Sequence, residues 1–97
     1  MNNVEIKLPS GETINVELIS YFEVVNISKK YLFYTKNEMV ENNLIKMYVA
    51  EVLTIDNSIA INEKMSEQEW NDLKNIMKSI LLGEKNNNIK YLEIGGA

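Results

Sequence analysis

The chain has 97 residues, 45% of them apolar, and a formal net charge of −4 with no histidine and no cysteine. That length suits one domain with its own core, and the apolar share argues against intrinsic disorder. Disulfides, thiol nucleophiles and thiolate metal sites are excluded; the commonest general base and zinc ligand is missing; and all ten cations are lysine, so no guanidinium can read guanine edges or clamp phosphates.

Val4-Glu5-Ile6-Lys7-Leu8 alternates with period two, which places Val4, Ile6 and Leu8 on one side of a strand. Pro9-Ser10-Gly11 then reads as a hairpin turn, with proline presetting its φ and glycine free to turn left-handed. A second strand, from about Glu12 to Val25, begins with Ile14, Val16 and Leu18 on one face. At Leu18-Ile19 the phase slips: Ile19 and Tyr21 carry one side while Phe22 and Val24 occupy the other, which predicts a β-bulge near Ser20. Asn26 to Lys30 is a turn, and Tyr31 to Thr35 a third strand with β-favouring residues on both faces. Asn37 to Asn43 reads as a polar loop. Leu44 to Ile55 is a long fourth strand, Asp56-Asn57 a turn, and Ser58 to Ile61 a short fifth strand.

The stretch KMSEQEWNDLKNIMKSILLG carries start and stop signals for a helix. Ser66 is the N-cap, Glu69 completes a capping box, Met65 and Trp70 form a hydrophobic staple, and Gly83 ends the helix. At ~100° per residue, Trp70, Leu73, Ile76, Met77, Ile80 and Leu81 fall within an arc of roughly 140°. Such a helix covers a flat apolar surface, and the chain's own sheet is the simplest candidate. Its balanced, asparagine-rich polar side does not suit a membrane surface. Glu84 to Asn88 is a polar linker, Ile89 to Ile94 could form a sixth strand, and Gly95 to Ala97 should fray.

One helix covers one face of a sheet, yet the second, third and fourth strands are apolar on both faces. Either the sheet curls and closes on itself, or its second face is buried by the C-terminal strand or by another chain. Tyr21, Tyr31, Tyr34 and Tyr48 suit a half-buried interface, since tyrosine offers contact area with a polar tip. They are the candidate interaction residues, for a protein partner or a homodimer.

In the order strand, turn, strand, aromatic strand, long strand, short strand, helix, the segments VEIKLPSGETINVELISYFEV, KKYLFYT, IKMYVAEVL and SEQEWNDLKNIMKSIL resemble the YrzB-like family of small acidic bacterial proteins, a domain of unknown function. The match spans about Val4 to Leu82. It implies a fold and a cytoplasmic setting but no activity. The chain departs from that pattern in a less acidic Asn37–Asn43 stretch and in extending past the helix.

The expected architecture is α+β: a bent antiparallel sheet of about five strands, with a possible sixth at the C-terminus, covered on one face by a single C-terminal helix. Residues 1–83 form the domain; 84–97 are linker, possible strand and tail. No apolar run approaches the ~18 residues that span a bilayer, and MNNVEIKLPSGE does not read as a signal peptide, so a cytoplasmic protein is expected. The carboxylates alternate with apolar residues or lie on the helix's polar face, as solvated surface does. No catalytic, cofactor or metal residues are assigned, and no enzyme is expected. The negative charge opposes nucleic acid. The expected function is a non-enzymatic interaction or regulatory module acting through the tyrosine-rich face. The alternatives are a small-molecule-binding domain with a pocket between helix and sheet near Trp70, or an acidic inhibitor of the phage type that mimics nucleic acid.

Overall fold

The computed structural model describes residues 2–40, 44–56 and 58–94. The alternating runs become β1 (Asn2–Lys7), β2 (Thr13–Val24), β3 (Lys29–Val40), β4 (Leu44–Ile55) and β5 (Ile59–Asn62), followed by the helix α1 (Glu67–Leu82) and a short β6 (Ile89–Tyr91). Between β1 and β2 the chain reverses through hydrogen bonds from Leu8 N–H to Glu12 C=O and from Gly11 N–H to Leu8 C=O, both 2.8 Å. Gly11 sits at φ 94°, where a side chain would be strained.

Consecutive strands from β1 to β5 pair antiparallel, and β5 then returns to β1 in parallel through Ile6↔Ile59 and Lys7↔Ala60. The sheet is therefore a closed five-stranded barrel, not the open bent sheet covered by a helix that the sequence led us to expect. In a meander of five strands the first and last run the same way, so the closing seam has to be parallel. Curvature comes from irregularities in each of the three twelve-residue strands. In β2, Leu18 pairs with Tyr34 and Ser20 with Phe33, leaving Ile19 as the extra residue of the bulge. In β3 the register shifts between Thr35 and Met39, with Asn37 at φ 60°. In β4 it shifts between Val52 and Thr54. The expected loop at Asn37–Asn43 is thus corrected: Asn37 and Glu38 form a bulge inside β3. Residues 41–43, Asn57 of the expected turn and the Gly95–Ala97 tail lie outside the described residues.

Closure gives every two-faced strand a use for both faces. Ile6, Val16, Tyr21, Leu32, Tyr34, Ala50, Ile59 and Ile61, drawn from all five barrel strands, pack together as the interior. Phe22, Val24, Tyr31, Phe33 and Val49 point out of the same wall and are buried by Leu73 and Ile76 of α1. Adjacent residues of β3, Leu32 and Phe33, are both fully buried, in different cores.

Ser66 caps α1 by accepting from the Glu69 N–H at 3.1 Å. Gly83, at φ 70°, ends it with hydrogen bonds from Gly83 N–H to Ile80 C=O and from Glu84 N–H to Ser79 C=O. The capping box is not completed, because the Glu69 carboxylate is taken by Tyr31. The buried stripe is also narrower than the periodicity implies. Met65, Met77 and Ile80 pack at its margin, while Trp70 is 39% exposed beneath Lys74 and Leu81 is 57% exposed. Finally, β6 lies antiparallel to β2 through Phe22↔Tyr91 and Val24↔Ile89. It occupies the β2 edge that β1 leaves at Leu18, and Leu92 and Ile94 beyond it pack against the barrel interior.

Candidate functional site

After Val24 the chain makes one 3-10 turn, Val25–Ile27, and Ser28 reverses it at φ 53°. This turn stands opposite the first half of α1. The segment leading into β6 is tied to it: Val25 N–H donates to Asn88 C=O at 2.9 Å, Asn26 N–H donates to Asn88 Oδ1 at 2.9 Å, and Asn88 Nδ2 donates to Asn26 Oδ1 at 3.1 Å. Between these three segments lies an open cleft of about 590 Å³. Its floor is apolar, from Val24, Leu73 and Ile76 with Tyr31 below; its rim is polar, from Asn26, Lys29, Gln68, Asp72, Asn75 and Asn88.

At one end of the cleft the Tyr31 hydroxyl donates to Glu69 Oε2 at 2.5 Å, and Lys29 Nζ stands 3.6 Å from the same oxygen. Burial pushes the Tyr31 hydroxyl well above its ordinary pKa, and the hydrogen bond to Glu69 and the charge of that carboxylate act the same way. The trio pins the start of α1 to the start of β3. It is therefore positioned, neutralised and available only in part to a ligand.

The four tyrosines expected on one interaction face are not on one face. Tyr21 and Tyr34 point into the barrel and are buried there. Burial raises the Tyr34 hydroxyl to about 12, and it raises Tyr21 as well. Tyr31 lies on the other side of the wall, buried under α1. Tyr48 alone keeps partial exposure: its ring stacks on Tyr34 with centroids 5.4 Å apart, and its hydroxyl donates to Glu38. Lys36 and Lys46 hold their ammonium groups 4.5 Å and 5.1 Å from the Tyr48 ring centre. The expectation of a shared, outward tyrosine surface fails because the closed barrel needs these rings for its own two cores.

Sequence reasoning missed the residues that build the cleft. Glu69 had a local role as a capping-box acid, and nothing in the linear pattern ties Asn26 to Asn88, 62 positions away. A pocket near Trp70 was the alternative expectation, but the cleft opens beside the Gln68–Asp72–Asn75 flank of the helix and Trp70 does not line it. Among the described residues no group of three or more carboxylates could hold a metal ion, and no helix is long and apolar enough to cross a membrane.

The fold and the cleft define a small closed β-barrel with one helix clamped to its outer wall. No family model, no curated protein and no solved structure matches the chain.

Proposed function

We propose that the chain is a non-enzymatic binding module whose contact surface is the cleft between the 3-10 turn, α1 and Asn88. The supporting observation is the cleft itself. At about 590 Å³ it has the size of small-ligand sites, with an apolar floor and several polar groups converging from three chain segments. This moves the expected interaction surface off the tyrosines and onto the helix flank, and it joins the interaction module expected from the sequence to one of its alternatives, the small-molecule-binding domain. The bacterial, cytoplasmic setting implied by the YrzB-like resemblance belongs to the same proposal.

The test is a fragment screen followed by amide chemical shifts, on the wild type and on Asn75→Trp, which fills the cleft from an exposed helical position. Hits should move the amides of residues 24–29 and 68–76 in the wild type and lose binding in the variant. Hits that cluster elsewhere, or that bind Asn75→Trp unchanged, overturn the reading.

A further inference from the structure

The charges around the cleft are unequal. Lys29, Glu69 and Asp72 line it, and Lys29 and Glu69 already answer one another at 3.6 Å. Glu69 is held a second time by the Tyr31 hydroxyl. Asp72 has no ion-pair or hydrogen-bond partner among the described residues, and it projects from the second turn of α1 between Gln68 and Asn75. Those two lie four residues before it and three after, so all three share one side of the helix. Of the remaining amides, Asn88 is spent on Asn26, accepting from its backbone N–H and donating to its Oδ1.

The positive end of α1 does not reverse this balance. Ser66 accepts from the Glu69 N–H, and Glu67 and Glu69 stand in the first turn, where they offset the helix dipole. A phosphate or carboxylate entering the cleft would meet Asp72 and a protein of net charge −4. The apolar part of the lining is half-exposed Ile27, with Val24, Leu73 and Ile76 buried at the floor; these can face a hydrocarbon stem but offer it no polar group.

We propose that the cleft takes a cationic head on an apolar stem, an alkylammonium or guanidinium group that meets Asp72 while its stem lies against Ile27 above the floor of Val24, Leu73 and Ile76. The inference rests on the cleft being the binding surface. The same chemistry is carried by a free amine and by a lysine or arginine side chain of a peptide. Titrations followed by amide shifts, with agmatine, with acetyl-Leu-Arg-Leu-amide and with the neutral acetyl-Leu-Gln-Leu-amide, separate these sources.

Both cationic probes should move the amides of residues 26–29 and 68–76, and binding should weaken as ionic strength rises. Affinity in Asp72→Asn should fall about two- to fivefold, as expected for one partly screened ion pair. Asp72 is exposed on the helix, so that variant should fold, which circular dichroism verifies. Agmatine binding as well as the arginine peptide supports a free amine as the occupant; preference for the peptide supports a side chain. If the neutral peptide binds the cleft as tightly as the cationic one, or Asp72→Asn binds unchanged, the cationic ligand is wrong and the cleft reading stands. If no probe moves the cleft amides the cationic ligand is again overturned, and the cleft reading falls with it only if the fragment screen is also blank there.

Discussion

Tyr31 is where the barrel and the helix meet through a polar contact. Its ring is fully buried and its hydroxyl ends on the Glu69 carboxylate. Replacing it with phenylalanine keeps the packing and removes the donor, so Tyr31→Phe should lower stability by about 1–2 kcal/mol in urea unfolding. The buried tyrosines also set an alkaline limit. Tyr34 is pushed up to about 12 and Tyr31 is raised further, against a value of about 10 in the unfolded chain. A group with a raised folded pKa contributes its full stability below the unfolded value and loses it as pH climbs toward the folded one. Stability should therefore fall between about pH 10 and pH 12, and Tyr34→Phe should flatten that fall. A Tyr34→Phe variant whose unfolding free energy falls as steeply as the wild type's over that range would contradict the assignment.

At the scale of single elements, much of the molecule could be read from the chain. Strand phases, the bulge after Leu18, the Ser66 cap and the Gly83 stop are local matters of period and backbone preference, and each appears near its expected place. What could not be read is which elements meet. The parallel seam of Ile6 and Lys7 with Ile59 and Ala60 has no local signal. Nor has the Asn26–Asn88 pair that closes the cleft. The helix face was readable as amphipathic, but Trp70 and Leu81 belong to its apolar arc and not to its buried stripe, because the curved outer wall touches a narrower strip than a flat sheet would. Truncating Leu73, at the centre of that strip, should cost about 2–5 kcal/mol as Leu73→Ala. Leu81→Ala, on an exposed rim, should stay within about 0.5 kcal/mol. Equal losses for the two in chemical denaturation would mean that the helix sits differently.

For the whole molecule the seam and the centre of the barrel differ sharply. From Tyr31 to Thr35 the strand β3 is paired on both sides, by β2 and β4, whereas β1 and β5 share only two register pairs. Amide exchange should accordingly be slowest in Tyr31–Tyr34 and faster at Ile59 and Ala60. Uniform protection around the barrel would count against a weak seam. The wall formed by β2, β3 and β4 also has a consequence for how the protein comes apart. It backs one core with residues such as Leu32 and another with residues such as Phe33. Lifting α1 away wets only the second, and the closed barrel behind it keeps every strand paired. The helix is thus a separable cooperative unit, able to open at a lower free energy than global unfolding and with a smaller dependence on denaturant. Since α1 supplies one side of the cleft, any ligand seated there would hold that unit shut by mass action.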